Sequence, residues 1–155
     1  MTTLPMTVSR RAARAILVDE DDHLVLIKRT KPGTAPYWTA PGGGLEAEDS
    51  SPEAAMRREL AEELGTEAGP ALQVFFFSSP DGDRVATQYF FLARLLKLNE
   101  EARTGSEFKD PSRGGYEIDR IDLRGDALAE VDLKPTALRD FVLANRTALL
   151  AEITG

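Results

Sequence analysis

Apolar positions along the chain fall into short β-branched runs separated by turn residues, with two stretches of helical period. Arg10 to Asp19 (RRAARAILVD) turns increasingly apolar and β-branched, which predicts a strand. Asp19 to His23 is a polar turn, and Leu24 to Thr30 (LVLIKRT) is the returning strand of a hairpin. His23, the sole histidine, belongs to that acidic turn and is expected to be solvated. Lys31 to Tyr37 holds two prolines and a glycine and is a loop. It leads into Trp38, the sole tryptophan, read as core packing with a pocket edge as the alternative. Leu72 to Ser79 (LQVFFFSS) predicts a strand whose phenylalanines enter the core, and Ser79-Pro80-Asp81-Gly82 a turn. Arg84 to Lys97 (RVATQYFFLARLLK) is a long strand, apolar enough for the centre of a sheet, with Tyr89, Phe90 and Phe91 as core.

Asn99 to Gly114 is polar and lacks a periodic apolar pattern, so it reads as a loop. Glu117 to Leu123 (EIDRIDL) alternates as a strand, and residues 125–131 form a short turn or helix. Lys134 to Ile153 places Leu138, Phe141, Val142, Leu149 and Leu150 at helical spacing, which predicts an amphipathic helix. Its apolar side could serve a homodimer as well as a core. Residues 1–9 form a loose leader, and no internal repeat is present. Strands, a helix, more strands and a last helix give an α/β chain with a mixed sheet between helices. At 155 residues the chain is expected to form a single domain, 1–155.

The first helix is the most informative stretch. Pro41 to Thr66 reads PGGGLEAEDSSPEAAMRRELAEELGT. Ser50 or Ser51 can cap it, Ser50 with Glu53 having the spacing of a capping box. Pro52 suits the first turn and Gly65 the position past the last. Met56, Leu60 and Leu64 make an apolar stripe. Glu59, Glu62 and Glu63 fall within an arc of about 100° beside it, since residues advance about 100° each. Like charges at this spacing cost a few tenths of a kcal/mol per pair. A hard divalent cation such as Mg²⁺ or Mn²⁺ would reverse that cost. The triple glycine upstream needs a backbone reason, a close approach or a positive φ.

Composition narrows the field. The absence of cysteine removes disulfides, thiolate chemistry and Cys-based zinc sites. No apolar run approaches 18 residues and no signal peptide is visible, so no membrane partner and a cytoplasmic location are expected. A net charge of −7 argues against a nucleic-acid partner, though not against a small phosphorylated substrate. Lys28 and Arg29 end the second strand. One of them, Arg29 first, is expected to meet substrate phosphate.

The order Gly-Gly-x-Leu-Glu, acidic loop, Arg58-Glu59-Leu60-Ala61-Glu62-Glu63-Leu64-Gly65 resembles the signature box of the Nudix (MutT-like) hydrolases. It departs in three places. Asp49 stands where the family has Glu, eight spacers and not seven lead to Arg58, and the closing apolar position is Thr66. The resemblance implies an α/β/α sandwich that cleaves a nucleoside diphosphate linked to another group, with Mg²⁺ or Mn²⁺. It implies Glu59, Glu62 and Glu63 as metal ligands with a backbone oxygen from Gly43, and Arg58 as support for the loop. Glu46 would assist through water. The base would be a box glutamate or a later carboxylate, Glu117 first, with Glu107 and Asp110 behind it. The alternative is a nucleotide-binding module that turns over little, favoured by Asp49 and the extra loop residue. A diphosphate isomerase of related fold is disfavoured, because that chemistry usually needs a cysteine.

Overall fold

The first strand, β1 (Val8–Val18), serves both faces of a sheet. Its Ala13, Ala15 and Leu17 are buried with Met56, Leu60 and Leu64 of helix α1 (Pro52–Leu64). Its Ile16 and Val18 are buried on the other side with Leu138, Val142 and Leu149 of helix α2 (Thr136–Thr154). Alternation along a strand sends successive side chains to opposite faces, and burial of both is why the run is continuously apolar. Each fully buried Leu or Met contributes roughly 1.5–3 kcal/mol.

The computed structural model describes residues 7–98 and 115–154. Strand β7 (Arg84–Leu98) runs parallel to β1, from Arg10 opposite Ala86 to Val18 opposite Arg94. On its other side it pairs antiparallel with β5 (Thr66–Ala68) and β6 (Leu72–Asp81). Strand β2 (His23–Thr30) pairs antiparallel with β8 (Gly115–Asp122) and β3 (Tyr37–Thr39), and β3 runs parallel to β9 (Leu133–Lys134). A mixed sheet between α1 and α2 is the expected α/β/α sandwich, with the long β7 inside it as expected. No described helix is long and apolar enough to cross a membrane.

The β1–β2 hairpin forms, but only Leu17↔Val25 and Val18↔Leu24 are in register. The strands then part, and the first half of β1 takes β4 (Gly42–Gly44) as its antiparallel partner. At the turn, the buried Asp19 carboxylate accepts from the amides of Asp21 and His23, each at 2.9 Å, and from Arg120 at 2.8 Å. Burial alone would raise its pKa. The His23 amide and Arg120 outweigh it and hold the pKa below the usual value. His23 stays at the surface turn, its Nδ1 3.1 Å from the Asp21 carbonyl.

Of the two serines expected as caps, Ser51 caps α1: its hydroxyl accepts from the Ala54 amide at 3.0 Å. Glu53 is therefore too early for a capping box and pairs with Arg57 at 3.2 Å instead. The Leu72–Ser79 run carries a bulge between Gln73 and Phe75. Phe75 and Phe77 pack on the core, whereas Phe76 remains 50% exposed, edge-on to Tyr89. Trp38 is half-buried against the core, with its Nε1 donating to Asp119 at 2.8 Å. Residues 127–130 form a 3-10 turn. The apolar side of α2 is occupied by the core, and Phe141 stacks on Phe75 at 4.6 Å. The Asn99–Gly114 loop, with Glu107 and Asp110, lies outside the described residues.

Candidate active site

The glycine strand is pressed onto β1. At Gly42 φ is +145°, and a Cβ there would lie 2.3 Å from the Ala13 carbonyl and 2.5 Å from the Arg14 Cα. Only glycine fits. In the β1–β4 ladder Gly43 stands opposite Ala13 and Gly42 opposite Arg14. The bonds from Ala15 N to Pro41 O and from Leu45 N to Arg11 O lie two residues either side of the Gly43–Ala13 pair. Hydrogen-bonded pairs alternate along an antiparallel ladder. The Gly43 peptide groups accordingly face β1, and those of Gly42 face away from it. The Gly42 amide donates to Glu63 Oε1 at 3.2 Å. Its carbonyl meets Arg14 Nη1 at 3.4 Å. This corrects the expectation for Gly43, whose carbonyl is turned into the ladder; Gly42 and Gly44 turn their oxygens outward, and that of Gly44 is taken by Arg58. What Gly43 supplies is room: a Cβ on it would lie 2.6 Å from Glu59 Cδ.

Helix α1 delivers the acidic side chains through its own register. Glu63 is 8% exposed beneath the glycine strand, and Glu59 lies against Gly43. Arg58 organises the rest. Its Nε and Nη2 bond both oxygens of Asp49 at 3.0 and 2.9 Å, and Nη2 also reaches the Gly44 carbonyl at 3.1 Å. Its Nη1 lies 3.0 Å from Glu59, 3.3 Å from Glu62 and 3.5 Å from Glu46. The Asp49 hydrogen bonds, aided by Glu59, hold the Arg58 pKa above the usual arginine value. Arg58 in turn holds the Asp49 carboxyl below its ordinary range, helped by the Glu46 amide. Asp49 in the longer loop thus makes the two-toothed contact expected of a glutamate.

Among the described residues, no three acidic or histidine side chains converge as a ready metal cage. Glu59 and Glu62 lean on Arg58, and Glu63 on the Gly42 amide. Arg29 lies 3.9 Å over the Tyr116 ring and 5.6 Å from that of Tyr37, and its buried Nε has no hydrogen-bond partner. Glu117 pairs in register with Lys28 and is exposed. Its neighbours Tyr116 and Ile118 pack towards α1, so alternation points Glu117 to the other face, apart from the three glutamates.

The NUDIX domain model matches residues 8–123. The chain belongs to the NUDIX family. It is a Nudix pyrophosphohydrolase, of a family that acts on small nucleotide-linked substrates. Solved structures share its fold. The E. coli ORF135 protein is 21% identical, over 92% of this chain and 94% of that one, with a TM-score of 0.65. A structure titled ADP compounds hydrolase is 21% identical, over 94% and 76%, with a TM-score of 0.70. The MutT NUDIX hydrolase from Burkholderia pseudomallei is 25% identical, over 74% and 84%, with a TM-score of 0.54. No curated protein sequence matches it.

Beside the Nudix box a cleft of about 640 Å³ opens between Val8 to Arg11 on β1 and Gly44 to Glu46. Arg14 escaped the sequence reading. Its Nε donates to Gln88 at 2.9 Å and its Nη1 to the Ala40 carbonyl at 2.9 Å. Burial lowers its pKa, and Glu63 and Glu59 oppose that shift. The signal was visible: one arginine inside AARAILV, where every neighbour is buried. The tyrosines beside Arg29 carried no such signal, because only the pairing of β2 with β3 and β8 brings them together.

Proposed function

We propose that this Nudix enzyme hydrolyses the pyrophosphate bond of a nucleoside diphosphate linked to another group, with a divalent ion held by Glu59, Glu62 and Glu63. The observation that carries the reading is the pairing of glycine strand and helix: Glu63 under the Gly42 amide, Glu59 in the space left by Gly43. Three carboxylates and the outward Gly42 carbonyl are an all-oxygen donor set suited to Mg²⁺ or Mn²⁺. Such an ion, when bound, neutralises phosphate charge and lowers the pKa of water.

The remaining work falls to the chain. Arg58 carries no substrate; it fixes the loop through Asp49 and keeps Glu46, Glu59 and Glu62 near one another. Arg29, seated over the Tyr116 ring, would offer its guanidinium to a phosphate oxygen. The cleft beside Gly44, edged by Arg10 and Arg11, takes the substrate's anionic part. The in-line attack of water then depends mainly on positioning and electrostatics. A weakly catalytic binding module is suggested by Asp49 and the longer loop; the two bonds that Arg58 donates to Asp49 weigh against it.

The test is formation of the nucleoside monophosphate from nucleoside triphosphates, ADP-ribose, dinucleoside polyphosphates and nucleotide sugars, with and without Mg²⁺. Glu63→Gln should lose most of the metal-dependent rate. A mutant equal to wild type in rate and Mg²⁺ dependence refutes the assignment.

A further inference from the structure

We infer that Arg14, braced by Gln88, is a positioning residue that aims the Gly42 peptide at the acidic pocket. The inference rests on the metal-site reading above and extends it to the sheet behind the glycines. Gly42, like Gly44, turns its amide and carbonyl out of the ladder, and at Gly42 an added Cβ would meet the β1 backbone. Its amide meets Glu63 on one side and its carbonyl meets Arg14 on the other. The amide and the carbonyl belong to the two peptide planes that meet at the Gly42 Cα, so a change of φ and ψ there would disturb both contacts. Arg14 Nη1 also takes the Ala40 carbonyl, so one guanidinium nitrogen grips the segment on both sides of Pro41.

Gln88 sits on β7, on the far side of β1, and bonds Arg14 Nε at 2.9 Å. The guanidinium is planar and rigid. Fixing Nε therefore fixes the direction of Nη1. A lysine at 14 would keep the charge but lose this two-point hold. The chain of control runs from Gln88 through Arg14 and the Gly42 peptide to Glu63.

Two effects of Arg14 on a divalent ion have opposite signs. Its charge repels the ion, so a purely electrostatic role predicts tighter metal binding on removal. Its hold on Gly42 orients donors, so a positioning role predicts weaker binding. Partners behind metal ligands cost 10–100-fold in affinity or activity when lost, and about tenfold is expected here.

The full chain is titrated with Mn²⁺ alone, following the free-ion paramagnetic resonance signal, and thermal melting reports folding. Arg14→Lys should bind Mn²⁺ about tenfold more weakly, and Gln88→Leu about threefold. With substrate and Mg²⁺, kcat should fall while KM stays within about twofold, since Arg14 touches no substrate. Folded Arg14→Lys with unchanged or tighter Mn²⁺ binding overturns the inference. If Arg14→Lys does not fold, Gln88→Leu decides by the same criterion. Glu63→Gln separates the two readings. Unchanged Mn²⁺ affinity there sinks the metal site itself, whereas a weakened Glu63→Gln beside an unaffected Arg14→Lys sinks only the role of Arg14.

Discussion

Adding one methyl group to each of two adjacent glycines should produce opposite phenotypes. In Gly42→Ala the new Cβ meets backbone: the Ala13 carbonyl at 2.3 Å and the Arg14 Cα at 2.5 Å, at a φ of +145°. Neither atom can swing aside. Strained φ costs about 1–3 kcal/mol, and overpacking a fixed site typically about 1–3 kcal/mol more. A loss of roughly 4 kcal/mol corresponds, at about 2–4 °C per kcal/mol for this chain length, to a Tm lower by about 8–16 °C. In Gly43→Ala the Cβ meets the end of a side chain, with both Glu59 carboxylate oxygens at 2.7 Å. Glu59 can rotate away, so stability should change by less than about 1 kcal/mol, within the ordinary range for a relieved surface contact. The carboxylate nevertheless leaves its place. Misplacing a donor costs roughly 10–100-fold in activity or metal affinity. Calorimetry paired with Mg²⁺-dependent formation of the nucleoside monophosphate separates the two. A Gly42→Ala protein melting with wild type, or a Gly43→Ala protein with full activity, refutes the reasoning.

Other substitutions probe the remaining parts. Leu60 is 1% exposed between α1 and the sheet, and Leu60→Ala should cost about 2–5 kcal/mol, read from denaturant midpoints. Asp49 has its pKa lowered by Arg58, so the unfolded chain takes up its proton first as pH falls. The stability from this pair is fully present above the unfolded value near ~3.9 and is lost below it. Asp49→Asn should flatten the stability–pH curve there, and an unchanged slope contradicts the pairing. Glu117→Gln should alter kcat less than about threefold, because the side chain is directed away from the box; a general base would cost about 10²–10⁴-fold.

The long apolar elements were legible because burial on one or both faces leaves a periodic trace. Hence β1, β7, α1 and α2 appear near their expected limits. The two- and three-residue strands β3, β4, β5 and β9 were not, since so few residues carry no period. The parting of β1 and β2 also left no trace, because either pairing satisfies the same alternation. Within the site, α1 and its glutamates follow from helical geometry. Which glycine turns its carbonyl outward does not: it depends on the β1–β4 register, and one residue of slip exchanges the roles of Gly42 and Gly43. The face that Glu117 takes was hidden for the same reason, since its strand neighbours Tyr116 and Ile118 took the α1 side.

The two departures in the box loop are best understood as one compensated change. Replacing glutamate by aspartate withdraws the carboxylate by about one carbon–carbon bond, near 1.5 Å. One further residue in the loop lengthens the chain by up to about 3.8 Å, more than enough to restore the reach. The product of the two is a carboxylate only 6% exposed that grips Arg58 through Nε and Nη2. Gripped on that edge, Arg58 can present only Nη1 to Glu46, Glu59 and Glu62. It therefore holds those carboxylates close without matching the geometry any of them needs for a full two-bonded pair. Such partners are close enough to reduce mutual repulsion along α1 and loose enough to be given up to an ion of higher charge.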